Sequence, residues 1–313
     1  AFGFAVDDLD VGAVVMLDYG ISSGQPAVYV AVSANLNSAG LVNVPGVTVE
    51  ATDLNFDLNG GITAGVSGFS VTTVVDFSAF EDGYYEIETG DPDNPITIDY
   101  DSIYLRVAGA AEINIFDVLT VDAVMEVQLT DQEFTFFFDG DAYIGIDDFY
   151  YSMQLSALVV INSDGLALKA SKSDEILSLG VFAEVNYELL EIIINSTGKD
   201  VTYTVPEDFV ARVGYDSVTI SATPPGQTAP ADFYLSVRGQ GYLDIFSGAL
   251  RLDGTFSILI ANDRMEMSIG AILDLPLLNP LGAVGTLGFA SGGVYGSIEI
   301  SSGDAPLLSL IHI

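Results

Sequence analysis

The chain has 313 residues, half of them hydrophobic, and carries 44 Asp and Glu against 8 Lys and Arg, for a formal charge of −36 and an isoelectric point near 4.1. Such a field repels nucleic acid and anionic membrane surfaces, so neither is an expected partner. The absence of cysteine excludes disulfides and thiol chemistry, and no apolar run reaches the roughly 18 residues of a membrane-spanning helix.

In chain order, the sequence opens on Ala1-Phe2-Gly3-Phe4, without Met, as though inside a strand. Runs rich in β-branched and aromatic residues then predict strands at Val28 to Ser33, Val47 to Leu58, Ile103 to Phe116, Val121 to Leu129, Glu133 to Phe138 and Leu155 to Ile161. Further strands are predicted at Val181 to Ile194, Val218 to Ala222, Phe233 to Phe246, Ala249 to Ile260 and Arg264 to Leu273. Period-2 alternation places Leu54, Phe56 and Leu58 on one buried face, and Phe134, Phe136 and Phe138 likewise. Turns are expected at Asn59-Gly60-Gly61, Asp82-Gly83, Asp139-Gly140, Asp164-Gly165, Ser247-Gly248 and Asp253-Gly254, where Gly supplies positive φ. Their close spacing favours hairpins and meanders over parallel crossovers. Ser173 to Ser178 offers at most one helical turn. Gly90 to Pro95 and Thr223 to Gln227 read as proline-rich surface loops.

The chain also repeats itself. Tyr104-Leu105-Arg106-Val107-Ala108-Gly109 returns 130 positions later as Tyr234-Leu235-Ser236-Val237-Arg238-Gly239, and Ser-x-Gly-aliphatic recurs at Ser38, Ser163 and Ser291. A period of about 125–130 residues predicts an all-β, elongated array of antiparallel modules, stacked or solenoid-like. The units fall at 1–40 (tail of a preceding repeat), 41–165, 166–293 and 294–307 (start of the next). The closing residues 308–313, Leu308-Ser309-Leu310-Ile311-His312-Ile313, resemble a translated sequencing adapter, which makes the chain an expected fragment of a longer frame.

The only histidine, His312, lies in that segment, so the remainder holds no Ser-His-Asp, Cys-His or His-zinc chemistry. No G-x-S-x-G, P-loop or dinucleotide fingerprint is present, and no convergent constellation marks an enzyme. Adjacent carboxylates such as Asp147-Asp148 arise readily among 30 Asp, and assigning them acid and base roles needs their burial and separation. Calcium is the cofactor the acidic turns suit best. The alternating carboxylates Asp91 with Asp93, Asp99 with Asp101, and Asp139 with Asp141 are its candidate ligands, with solvated Asx turns as the alternative. Tyr84-Tyr85 and Phe149-Tyr150-Tyr151 are read as core or cross-strand pairs, with a polymer-stacking surface as the alternative. The sequon Asn195-Ser196-Thr197 has weight only in a glycosylating pathway.

Ile103-Tyr104-Leu105-Arg106-Val107-Ala108-Gly109, Asn262-Asp263-Arg264-Met265-Glu266-Met267, and the glycine-rich stretches Leu281 to Gly285 and Ser291 to Gly296 resemble the long repeats of giant bacterial surface or secreted proteins of the LEPR-XLL-motif and hemolysin-type calcium-binding kind. The resemblance implies export to the cell surface and calcium binding. The expected function is therefore a non-catalytic structural or adhesive segment of a large extracellular protein. Its partners would be neighbouring repeats and cell-surface or matrix polymers. Two alternatives stand beside it. One is an outer-membrane β-barrel, against which Ile192-Ile193-Ile194 and Leu158-Val159-Val160-Ile161 put apolar residues on both faces. The other is a β-sheet groove carrying lipid or another apolar ligand, which a continuous open apolar face would favour.

Overall fold

The computed structural model describes residues 3–19, 26–42, 44–65, 68–72, 74–88, 95–99, 104–130, 132–146, 148–245, 249–261, 264–274, 279–290, 293–302 and 305–312. The fold is all-β, built on a long antiparallel sheet in which strands follow one another in chain order. Two compact units divide it: residues 1–113 with 123–137, and residues 114–122 with 138–313.

In the first unit, β1 (Gly3–Asp18), β2 (Ala27–Val42) and β3 (Val47–Gly65) pair as a meander, with β4 (Gly68–Thr72) added to β3. The chain then leaves the sheet through a 3-10 turn (Phe77–Ala79) and a small hairpin of β5 (Tyr85–Ile87) and β6 (Ile96–Ile98). It rejoins the sheet as β7 (Tyr104–Ile115), β8 (Leu119–Leu129) and β9 (Glu133–Ile146), which contribute residues to both units.

Register fixes what each face carries, because residues opposed across antiparallel strands lie on the same side. On one face the rows are Leu9, Leu36 and Leu54, then Val11, Ala34 and Phe56, then Ala13, Val32 and Leu58. The rows on the other face include Asp10, Asn35 and Asn55, and Gly12, Ser33 and Asp57. The hairpin excursion packs on this second face, where Phe77 and Ile98 meet Ala31 and are flanked by Val14, Met16, Val75 and Ile87. Gly12 is what admits it, since a Cβ there would lie 2.8 Å from the Ile87 side chain.

The second unit continues the meander through β10 (Phe149–Asn162), β11 (Gly165–Leu179) and β12 (Ala183–Asn195). A second excursion follows. It consists of β13 (Val201–Thr204) and β14 (Ser217–Ile220), paired together, with the helix α1 (Glu207–Val213) between them. β15 (Tyr234–Ile245) then pairs with β12 and leads to β16 (Leu250–Ala261), β17 (Arg264–Asp274), β18 (Leu281–Ala290), β19 (Gly293–Ser302) and β20 (Ala305–His312).

The helix was not expected from sequence, being shorter than the dozen residues a periodic signal needs. Local chemistry nevertheless defines it. Glu207 and Asp208 occupy its first turn and Arg212 its last, and Gly214, at φ +80°, closes it in the left-handed conformation. Ser173 to Ser178, read as a possible helical turn, lies within β11. Three expected turns are also strand interior: Asn59-Gly60-Gly61 in β3, Asp139-Gly140 in β9 and Asp253-Gly254 in β16. Of their glycines, Gly254 lines a groove on the apolar face of the second unit. Asp82-Gly83 and Asp164-Gly165 do form turns, with Gly83 and Gly165 at positive φ, and Ser247-Gly248 lies outside the described residues.

Candidate functional site

In the second unit, β12 and β15 to β19 place Ile192, Val237, Ile258, Met267, Leu287 and Gly296 in one cross-strand row. The row one residue away points to the opposite side and holds Glu191, Arg238, Ser257, Ser268, Thr286 and Ser297. The contrast repeats along the strands. Leu190, Gly239, Phe256, Ile269, Gly285 and Ile298 form the next apolar row, followed by Gly241, Gly254, Ala271, Ala283 and Ile300.

The polar side is covered over β12 and the start of β15, whereas Arg238, Ile272, Val284 and Ser297 of the same side are exposed. Asn195 is fully buried, and its side-chain N–H groups donate to the carbonyls of Lys199, Ile220 and Ser221, tying the second excursion to the sheet. The Tyr234 hydroxyl donates to Ser221 O at 2.7 Å, and burial with nearby Glu191 and Asp200 pushes its pKa up to about 12. Buried Glu191 accepts from Arg238 at 2.6 Å and faces Lys169 at 3.7 Å. Leu158 and Val160, whose run was set against a barrel, are buried on this side, whereas Ile161 is exposed on the other.

The first unit shows the same inversion. Asp57 and Asn59 are 7% and 0% exposed, whereas Phe56, the residue before Asp57, is 39% exposed. Ser33 donates to Asp57 at 2.8 Å, and Arg106 reaches both Glu126 at 2.5 Å and Asp57 at 3.9 Å. The expectation that Leu54, Phe56 and Leu58 define the buried face is therefore overturned, and so is that for Phe134, Phe136 and Phe138. In β9 it is Thr135, Phe137 and Asp139 that are buried. Alternation separates two faces correctly, but burial follows the excursions and the paired charges, which cover part of the polar one.

The exposed apolar face of the second unit is hollowed. One open groove of about 600 Å³ runs over Val185, Leu190, Leu243 and Leu252, and a neighbouring hollow of about 360 Å³ runs over Ile258, Met267, Leu287 and Ile298. Phe256 and Ile269 line both. Gly254 contributes to the depth. A Cβ at Gly254 would meet nothing within 4 Å, so the space above it is open.

Among the calcium candidates, Asp91, Asp93 and Asp101 lie outside the described residues, and Asp99 is exposed just past β6. Asp139 and Asp141 share a face of β9. The Tyr215 hydroxyl donates to Asp139 at 2.7 Å, and Arg212 reaches Asp122 at 3.1 Å. Burial holds the Asp139 carboxyl above the usual range against the opposing Tyr215 hydrogen bond, with Asp141 adding to the rise. Asp141 is raised by burial and by Asp122 and Asp174. Among the described residues no group of three or more acidic or histidine side chains is placed to hold a metal ion.

Tyr84, Tyr85 and Phe149 are exposed, contrary to a core role, whereas half-buried Tyr150 stacks on Tyr143 of β9 with ring centroids 5.5 Å apart, as a cross-strand pair does. Burial of Asn195 closes the sequon as a glycan acceptor in the folded chain. Sequence reasoning weighed an apolar groove without placing it, and of the glycines that line it, Gly239, Gly241, Gly254 and Gly270, it read Gly254 as a turn. Comparison with family models, with curated proteins and with solved structures found no match.

Proposed function

We propose that this chain binds lipid acyl chains along the apolar face of its second unit and acts as a non-catalytic carrier or sequestering surface. The observation that carries this reading is the combination of unbroken apolar rows with glycine-floored hollows on an open face. Exposed apolar area of this extent is costly in water, at about 25 cal/mol per Å², and is relieved by an alkyl ligand. The groove's volume falls within the range of small-molecule sites, which are mostly apolar.

Titration with a fluorescent acyl probe tests the proposal. Saturable binding that is competed by oleate supports it, and absence of binding by folded protein rejects it. The outer-membrane β-barrel is the second reading, favoured by buried polar and exposed apolar residues in both units. It requires detergent for solubility, whereas an open lipid-binding sheet does not. A structural or adhesive extracellular segment, with neighbouring repeats or surface polymers as partners and calcium in its acidic turns, accounts for the sequence repeat but gives the apolar face no role.

A further inference from the structure

We infer that three hairpin tips of the second unit form a docking rim for a zwitterionic bilayer, from which acyl chains enter the groove. The loading step rests on the proposed function, whereas docking stands on the rim itself.

The tips join β7 to β8, β9 to β10 and β11 to β12, and hydrogen bonds set them side by side. Gly145 N donates to Val118 O at 2.8 Å, and Gly180 N donates to Asp148 O at 3.2 Å. The Phe149 ring lies over Gly180, 3.3 Å from where a Cβ would stand. Each tip presents large apolar side chains to solvent: Phe116, Ile146, Phe149, Val181 and Phe182 are 57–67% exposed.

Hairpin turns ordinarily take Asn, Asp or Gly. Here an aromatic occupies even a left-handed position, Phe116 at φ +52°, which bulky residues rarely adopt. Exposed aromatics on adjacent tips have the character of groups that seat at a lipid headgroup boundary. The rim is also continuous with the groove, since Phe149 opposes Leu179 and the next residue on that face, Leu177, opposes groove-lining Val185. Exposed Asp117 and Asp148 at the same tips disfavour an anionic surface, and this selects a zwitterionic one.

The chain contains no Trp, so a single introduced Trp reports its own surroundings. F149W and F182W place reporters on the rim, and I269W places one in the groove. With phosphatidylcholine vesicles carrying brominated acyl chains, both rim reporters are expected to shift to the blue and lose at least half their emission. Substituting a third of the lipid with phosphatidylserine is expected to weaken binding several-fold. Rim reporters that ignore the vesicles, while I269W still responds to soluble oleate, overturn docking and leave the groove reading standing. Rim quenching with an I269W signal indifferent to oleate supports docking and rejects the groove as its destination. F116S/F149S/F182S, checked for an unchanged melt, is expected to lose vesicle flotation at least tenfold; undiminished flotation contradicts the rim.

Discussion

Arg106 supplies the positive charge that lies between Asp57 and the nearly inaccessible Glu126 in the first unit. Removing one partner of a buried pair leaves an uncompensated charge, so R106M is expected to cost about 3–5 kcal/mol in chemical denaturation. A loss below about 1 kcal/mol would mean that water reaches the cluster. Asn195 anchors the second excursion through bonds that a hydrophobic residue cannot replace, and N195A is expected to cost about 1–3 kcal/mol by stranding buried carbonyls. The acidic pair Asp139 and Asp141 gives a pH signature. Their folded pKa values are raised, so their contribution to stability is full below the ordinary carboxylate range and is lost as pH rises through the raised values. D139N/D141N is therefore expected to flatten the fall in melting temperature as pH rises above the ordinary carboxylate range. An unaltered slope would assign that fall to other carboxylates.

At the scale of elements, β2, β3, β7 to β10, β12 and β14 to β17 were legible in whole or in part because β-branched and aromatic residues alternate, whereas β11, rich in Ser and Lys, and the glycine-rich β18 and β19 were not expected. Which face is covered was not legible, because the cover comes from two excursions that read as loops and small strands. α1 was hidden by its length, although its acidic first turn and Gly214 cap were present in sequence. The glycines misled for a physical reason: Asp-Gly and Asn-Gly favour tight turns, but in mid-strand the missing side chain instead opens space over the sheet. Gly254 tests this directly. G254V meets no neighbour within 4 Å of its Cβ, so the melt is expected to hold or rise while acyl-probe affinity falls about fivefold or more. Undiminished affinity would move the ligand away from the groove floor.

For the whole molecule, the composition joins two opposed properties, a formal charge of −36 and a half-hydrophobic sequence. The structure distributes them by face and by turn, with apolar rows left open in each unit, polar residues such as Asp57, Asn59, Glu191 and Asn195 buried on the other face, and acidic residues exposed at hairpin tips. Net charge of this size opposes self-association of such a surface without covering it. The all-β antiparallel fold was legible from sequence. The apolar face was foreseen only as a condition under which lipid binding would be preferred, because residue pattern does not disclose what lies above a sheet. The most direct measurement is mass spectrometry of an organic extract from the full chain purified without detergent. The account predicts a soluble protein that carries phospholipid or fatty acid in near-stoichiometric amount, with G254V carrying less. A soluble protein free of lipid, or one that stays in solution only with detergent, would contradict it.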